Sequence, residues 1–354
     1  MSLFDVTDYD RNFYETNLSS FLPDHMIDIH AHSWLDRFRV GGDPGIERAE
    51  QWPLRVARDD SLDDLAETYR LLFPGKDCKA VVFGYPERRY DVDASNDYVA
   101  RGASAHGFYP LLMSRPEWSA DEFARRLDAG RFLGAKAYLN FAPEYIPGNE
   151  LRIFDFAPHH QLGVLDARHA ILILHIPRPG RLRDPVNLHE LLEIDRRYPN
   201  LSTVVAHVGR AYCDSDVGDA FDRLSGTEHL LFDIGANTNS TVFAQAIRAV
   251  GAGRILFGSD LPVTRMRMRR ICVDGSYVNV VPPGLYGDIA GDPHMADAAP
   301  GEAERLTFFL YEEIAAFKKA AEECGLGAGD VERVFYTNAC RCIALAQRHL
   351  SGLE

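Results

Sequence analysis

Histidine and aspartate side chains close short apolar runs at several points of this sequence. His30 and His32 end the first such run, His175 and His207 follow two later ones, and Asp260 follows another. Side chains two positions apart on a strand point to the same side of the sheet, so His30 and His32 can share one ion. Imidazole and carboxylate groups are common protein ligands of zinc. Groups of this type at the carboxyl ends of separate buried strands therefore predict a metal site in a barrel.

Each of these side chains also has a purely structural interpretation. His30 and His32 could be two partly exposed histidines at a strand end, and His207 could be a buried histidine bonded to a backbone carbonyl. Asp260 could cap a helix that begins near Pro262. The joint occurrence of these side chains at matching places along the chain favours the metal site.

The elements that must position these residues are strands alternating with helices. Eight apolar runs are of strand type: Met26–His30, Lys79–Gly84, Gly107–Met113, Gly134–Leu139, Ala170–Ile176, Ser202–His207, His229–Ile234 and Arg254–Gly258. Apolar residues at spacings of three and four lie between several of them, as in amphipathic helices. Consecutive apolar positions within a run are typical of parallel strands that are buried on both faces. Eight such units predict an α/β fold, the (β/α)8 TIM barrel.

The spacing of the candidate residues agrees with this barrel. A barrel of ~250 residues has roughly 31 residues per unit. His207 follows His175 by 32 positions, and Asp260 follows His207 by 53, which is close to two units. His175 follows His32 by 143 positions, which is four units with some excess. The candidate residues therefore fall on strands one, five, six and eight.

We expect residues 1–354 to form a single barrel domain. Residues 1–25 are an N-terminal extension with one helix, and residues 261–302 are an active-site loop insertion after strand eight, rich in Gly, Pro and Arg. Long loops at this face of a barrel are more often functional than decorative. Two extra helices, near Glu304–Cys324 and Gly329–Leu350, are predicted to close the chain.

Composition argues against several kinds of partner and location. The formal net charge of -14 argues against a nucleic-acid partner, because phosphate binding needs a basic face. No apolar run approaches the ~20 residues of a membrane span, and the first residues show no secretory signal. The six cysteines are scattered without a Cys-x-x-Cys pair, so we expect reduced thiols and, by default, a cytoplasmic location.

Several motifs together resemble a known family. They are Asp28-Ile29-His30-Ala31-His32, the histidines that end strands five and six, and Gly258-Ser259-Asp260-Leu261-Pro262. In this order they resemble the amidohydrolase superfamily, and within it the amidohydrolase-2 group, which includes aminocarboxymuconate-semialdehyde decarboxylase. The resemblance runs from about Met26 to the final helix. The ordered set is specific, whereas no single motif is.

The resemblance implies one divalent metal ion bound by His30, His32, His175 and Asp260. Three imidazoles and a carboxylate suit Zn²⁺, with a position left open for water or substrate. Mn²⁺ and other divalent ions stay open, since affinity order does not settle which ion is bound. His207 would then be a catalytic residue that hydrogen-bonds the activated water or stabilises charge on the substrate. Asp260 would also be catalytic, taking the proton of that water.

Lys136, on strand four, has an interpretation that depends on the number of metal ions. In binuclear members of the superfamily a strand-four lysine is carboxylated and bridges two metals. The site of the amidohydrolase-2 group is usually mononuclear, so we interpret Lys136 as a substrate-binding cation in the barrel mouth. A second metal at this lysine is the less favoured alternative.

Arginines near the barrel mouth point to an anionic substrate. Arg210 lies in the strand-six loop, and four arginines lie past strand eight: Arg265, Arg267, Arg269 and Arg270. Guanidinium groups pair with carboxylate or phosphate groups, so Arg210 and Arg265 are predicted to bind the substrate. A solvated loop that pairs with surface carboxylates is the alternative. Trp34 directly follows the histidine pair and is predicted to line the pocket.

Together these expectations describe a metal-dependent hydrolase of the amidohydrolase type. A metal-activated water would attack an amide, ester or lactone carbonyl of a small, anionic molecule. The alternative is non-oxidative decarboxylation of an aromatic or unsaturated carboxylic acid on the same metal site. A third hypothesis is an inactive barrel that acts as a binding protein. A homodimer is an open alternative for the oligomeric state.

Overall fold

Parallel strands form the centre of the fold. The computed structural model of the protein describes residues 3–41 and 53–352. The barrel strands are β1 (His25–His32), β2 (Asp77–Phe83), β3 in two segments (Tyr109–Pro110 and Leu112–Met113), β4 (Gly134–Ala137), β5 (Ile171–Leu174), β6 (Ser202–Val205), β7 (Leu231–Asp233) and β8 (Ile255–Leu256). Each strand pairs in parallel with the next one along the chain. This order is the one that strand–helix alternation predicts.

Hydrogen bonds between the last and first strands close the ring. The backbone N–H of Ile29 donates to the Phe257 carbonyl at 2.9 Å, and that of Asp260 donates to the His30 carbonyl at 2.8 Å. Ala31 also forms a parallel bridge with Leu261. The segments on both sides of the ring therefore lie side by side, and the predicted (β/α)8 barrel is confirmed.

Helices cover the outside of the barrel and extend both ends of the chain. They are α1 (Asp8–Phe13), α2 (Pro53–Val56), α3 (Leu62–Leu72), α4 (Val92–Gly102), α5 (Ala120–Ala129), α6 (His159–Asp166), α7 (Pro185–Arg197), α8 (Ala220–Leu224), α9 (Ser240–Val250), α10 (Phe309–Glu323), α11 (Ala328–Glu332) and α12 (Asn338–Leu350). A π-helical segment, Tyr14–Leu18, continues α1, and another, Arg333–Thr337, joins α11 to α12. In the part of the chain that the structure describes, no helix is both long and apolar enough to cross a bilayer.

Helix α3 shows how local sequence sets such an element. Ser61 and Asp64 form a capping box, in which the Ser61 hydroxyl accepts from Asp64 N at 3.0 Å and the Asp64 carboxylate accepts from Ser61 N at 2.9 Å. Leu65, Tyr69 and Leu72 then recur on one face and are buried. Burial of each such side chain contributes about 1.5–3 kcal/mol, so this face holds the helix on the barrel.

The segment after β8 folds into a small sheet. The strands β9 (Arg269–Val273) and β10 (Ser276–Val281) form an antiparallel hairpin, and β11 (Met295–Asp297) pairs in parallel with β10. The hairpin turns at Asp274 (φ 50°) and Gly275 (φ 77°). Asp-Gly is a favoured two-residue hairpin turn, because both positions need a left-handed backbone. The predicted loop therefore contains regular structure, which the Asp-Gly pair between two β-rich runs could have indicated.

A disulfide ties this hairpin to the loop after β6. Cys213 and Cys272 are bonded, with their Cα atoms 6.0 Å apart although 59 positions separate them in sequence. The expectation that all the thiols are reduced is therefore wrong for these two. The fold brings the hairpin over the β6 loop, and no cysteine spacing in the sequence encodes that contact.

Candidate metal centre

The five candidate side chains converge at the carboxyl ends of the barrel strands. His30 and His32 belong to the end of β1, and His175 directly follows β5. His207 and Asp260 follow β6 and β8 within four residues. All five line one cavity of about 120 Å³. The tertiary structure thus brings together the residues that the sequence singles out.

His30, His207 and Asp260 form one group of possible metal ligands. One ligand atom from each of them lies within 4.8 Å of the other two. Asp260 Oδ1 is also 3.2 Å from His32 Nε2 and 3.4 Å from His30 Nε2. His175 lies beside this group, with its ring centroid 5.1 Å from that of His207. Its Nδ1 is buried and has no hydrogen-bond partner among the residues described.

Hydrogen bonds set the tautomers of three imidazoles. Each donates from Nδ1 to an oxygen: His30 to the Asp233 carboxylate at 2.9 Å, His32 to the Gly84 carbonyl at 3.1 Å, and His207 to the Gly235 carbonyl at 2.7 Å. These oxygens accept and cannot donate when the carboxylate is ionised, so the protons reside on Nδ1. The Nε2 atoms of all three rings therefore carry lone pairs and no proton, as in metal-binding histidines whose other nitrogen donates to an outer partner. Nε2 of His30 also lies within hydrogen-bonding distance of the Lys136 ammonium.

In this arrangement, hydrogen-bond acceptors of the imidazoles and of a carboxylate lie close together. The Nε2 atoms of His30 and His32 face a carboxylate oxygen of Asp260. Burial holds the pKa of His30 well below its ordinary value, and the same effect lowers the pKa of His207 to about 4. Although burial alone would raise it, the neighbouring imidazoles hold the pKa of Asp260 below its usual range. An ionised carboxylate among neutral imidazoles is a donor set that fits a divalent cation.

Asp233, at the end of β7, is a positioning residue that the sequence reasoning missed. It is fully buried, and its Oδ2 accepts from Nδ1 of His30. Its Oδ1 accepts from the backbone N–H of His207 at 2.8 Å and of Gly235 at 3.0 Å. One carboxylate thereby orients residues of two different strands. The available signal was its place, because Asp233 ends an apolar run just as the candidate histidines do.

The turn after β6 has a left-handed backbone at four consecutive positions. The φ angles are 58° at His207, 47° at Val208, 64° at Gly209 and 57° at Arg210. A side chain at Gly209 would also meet the Leu182 side chain, 2.4 Å from the position of its Cβ. Such conformations cost about 1–3 kcal/mol each in non-glycine residues and cluster at functional sites. Here the turn directs His207 and Arg210 into the same cavity.

The structure separates the four predicted substrate-binding residues. Trp34, Lys136 and Arg210 line the cavity, whereas Arg265 is not part of its described wall. Arg265 is buried, with its Nη1 3.1 Å from the Asp60 carboxylate. That ion pair joins the segment after β8 to the segment after β1.

Lys136 stands beside the candidate metal ligands. Its Nζ lies 3.2 Å from Nε2 of His30, and its side chain is fully buried. Burial lowers the pKa of Lys136 to about 8, against the opposing influence of Asp260 and Asp233. In the described chain it forms no ion pair with a carboxylate. The cavity therefore contains a cationic group whose charge is only partly compensated.

Comparison with known proteins places this chain in a family. The sequence profile described as Amidohydrolase matches residues 27–343. No protein of curated function matches the chain significantly.

Two solved structures illustrate the shared fold. An amidohydrolase from Burkholderia multivorans with bound HEPES is 16% identical, with a TM-score of 0.55, over 90% of this chain and 99% of that chain. Amidohydrolase 2 from Bifidobacterium longum subsp. infantis is 14% identical, with a TM-score of 0.52, over 91% of this chain and 99% of that chain. Because the family profile spans most of the sequence, the chain belongs to the amidohydrolase family of metal-dependent enzymes, as its motifs predicted.

Proposed function

We propose that the protein is a hydrolase that uses one divalent metal ion to cleave an amide, ester or lactone of a small, anionic molecule. The observation that carries this proposal is the set of imidazole Nε2 atoms that face the Asp260 carboxylate with their tautomers already set. The set lies under a small cavity at the carboxyl face of the barrel, which is where barrel enzymes hold their active sites.

In this proposal the metal ligands are His30, His32, His175 and Asp260. Three imidazoles and one carboxylate suit zinc. The buried Nδ1 of His175 supports its inclusion, because no described residue satisfies that nitrogen. When bound, the ion would lower the pKa of a water molecule and polarise the substrate carbonyl.

His207 and Asp260 would manage the protons of the reaction. Nδ1 of His207 is committed to the Gly235 carbonyl, so Nε2 is the nitrogen that can accept a hydrogen bond in the cavity. With its pKa lowered to about 4 by burial, the ring is neutral at neutral pH and can orient the attacking water. The ionised carboxylate of Asp260 can accept the proton of that water and return it to the leaving group.

Cations in the cavity wall support an anionic substrate. Lys136 and Arg210 both line the cavity, and neither pairs with a carboxylate within the described ranges. Arg210 instead donates from Nη1 to the carbonyls of Ile176 at 3.2 Å and Pro177 at 3.4 Å. A buried cation without a counter-charge, such as Lys136, carries a desolvation penalty, which an anionic substrate would offset. Trp34 completes the wall beside the histidine pair.

A substrate panel tests the proposal. Lactones, esters and amides are assayed beside hydroxybenzoates and unsaturated acids, and both acid release and CO₂ release are followed. We expect hydrolysis by the zinc-loaded protein and loss of both zinc and activity in His30→Ala and Asp260→Ala. The exposed His189→Ala serves as the matched control. Release of CO₂ without hydrolysis would replace this proposal with the decarboxylase, and bound zinc without turnover of either class would favour a binding protein.

A further inference from the structure

The hairpin β9–β10 supplies one side of the cavity wall. Arg270 lies opposite Asn279 in the antiparallel register, and Cys272 lies opposite Tyr277. Alternate side chains of a strand share a face, so these four side chains lie on one side of the hairpin. Arg270 and Tyr277 line the cavity, and Cys272 is bonded to Cys213. The disulfide therefore holds this inner face of the hairpin against the barrel mouth.

Arg270 differs from the other arginines of its segment in having no acidic partner. The other three are paired: Arg265 with Asp60, Arg267 with Asp10 and Arg269 with Glu302. Even Arg181, which stacks on the same Tyr212 and Tyr277 rings, pairs with Asp216 at 2.6 Å. For Arg270, the described residues include no carboxylate within ion-pair distance. Among the described residues, Arg270 is therefore the arginine of this segment whose positive charge is not paired with a carboxylate.

Neutral groups hold the Arg270 side chain in place. Nε donates to Asn279 Oδ1 at 2.9 Å, and Nη1 donates to the Ala236 carbonyl at 2.6 Å. Three aromatic rings pack around the guanidinium carbon at 4.5–4.6 Å: those of Tyr212, Tyr277 and Phe309. A guanidinium has five N–H donors, so the donors left over lie on Nη1 and Nη2. That edge of the group is the one that binds a carboxylate with two parallel hydrogen bonds.

Arg270 is hydrogen-bonded outside the group of candidate metal ligands. Lys136 contacts His30, whereas the hydrogen bonds of Arg270 go to Asn279 and Ala236 and not to any of the five candidate site residues. We propose that Arg270 binds a carboxylate of the substrate that is remote from the carbonyl under attack, and that it thereby determines specificity for substrates with such a group. That the substrate has a carbonyl under attack rests on the proposed function, whereas binding of a carboxylate by Arg270 does not depend on it.

Binding of paired probes to the zinc-loaded protein tests this inference. Fumarate and terephthalate are rigid diacids of different length, and the diamide of each has a similar shape but no carboxylate. We expect Arg270→Gln to weaken binding of at least one diacid by about 10- to 100-fold in isothermal titration calorimetry, as loss of a charged hydrogen-bonding partner implies. Binding of the corresponding diamide should change by less than about threefold. Arg269→Gln, which removes an exposed arginine of the same strand, should leave all four affinities unchanged.

Several outcomes would overturn the inference. These are no effect of Arg270→Gln on either diacid, equal weakening of diacid and diamide, and no binding of either diacid to the wild-type protein. Circular dichroism and thermal unfolding check that the variants fold. If Arg270→Gln does not fold, Arg270→Lys keeps the charge and loses the planar fork, and it should weaken the diacid by about 3- to 10-fold.

The two proposals fail in different ways. If no compound of the substrate panel is hydrolysed but diacid binding depends on Arg270, only the proposed hydrolase is refuted. If carboxylated esters or lactones are hydrolysed with the same KM by Arg270→Gln and the wild type, only the carboxylate site is refuted.

Discussion

Asp233→Asn should weaken metal binding while leaving the barrel folded. Asp233 Oδ2 accepts from Nδ1 of His30 at 2.9 Å, and the two side chains are 0% and 1% exposed. In the variant, the single carbonyl oxygen must still accept from the backbone N–H groups of His207 and Gly235, so the amide NH₂ faces His30. Two donors cannot face each other, and His30 must move its proton to Nε2. The lone pair that would bind the ion is then lost.

The magnitude follows from this one contact. A hydrogen bond to a charged group contributes about 1.5–3 kcal/mol, and loss of an outer partner of a metal-bound histidine lowers metal affinity by about 10- to 100-fold. The two figures agree, because a tenfold change corresponds to about 1.4 kcal/mol. The effect should therefore lie well outside the error of a competitive titration.

The assay is a zinc titration against a chromophoric chelator, with total metal measured on the purified proteins. Asp222→Asn, an exposed aspartate on α8, is the matched control. Thermal unfolding of the metal-free proteins separates a loss of affinity from a loss of fold. A zinc Kd within about twofold of the wild-type value, in a folded Asp233→Asn protein, would refute the tautomer assignment and the ligand role of His30.

Three further predictions follow. His207→Ala should bind zinc with an affinity within about threefold of the wild-type value, but its turnover should fall about 10²- to 10⁴-fold because an acid–base group is removed. Loss of zinc on metal analysis would instead show that His207 is a ligand. Arg265→Gln should cost about 1–3 kcal/mol in urea unfolding, because it leaves the buried Asp60 carboxyl, whose pKa burial already raises to about 7, without its partner; unchanged stability with a raised KM would instead show that Arg265 binds the substrate. Burial raises the pKa of Glu190 to about 7, so its contribution to folding is present at acid pH and is lost as the pH rises toward 7. Glu190→Gln, which keeps an acceptor for Ile153 N, should therefore raise the free energy of unfolding by about 1 kcal/mol at pH 8 and by less at pH 5; equal gains at both pH values would contradict the cause.

Much of the fold could be predicted because barrel strands carry their signal locally. Each run was apolar over consecutive positions and ended near a turn, so the eight strands were found in the correct order. The predicted bounds were less accurate than the order. The prediction for β8 was Arg254–Gly258, whereas the strand covers Ile255–Leu256. The hairpin β9–β10 was missed, because charged and polar residues along its strands obscure the alternation of apolar and polar positions that is typical of a strand.

The sequence by itself determined which side chains meet at the barrel mouth. Residues that end parallel strands of one barrel share a face, so His30, His175 and Asp260 could be grouped from their place in the units alone. Arg210 and Trp34 followed by the same rule, since each lies within five residues of such a strand end.

Only the tertiary structure decided which arginines form ion pairs with carboxylates and which do not. Four arginines lie within the six positions 265–270 after β8, and nothing in their spacing distinguishes them. Arg267 meets Asp10 across 257 positions, and Arg265 meets Asp60 across the ring closure. Arg270 meets neutral groups instead, because the hairpin register and the Cys213–Cys272 bond turn its face toward the cavity. Ion pairing depends on distance in space, and for these residues that distance is set by the packing of segments far apart in the chain.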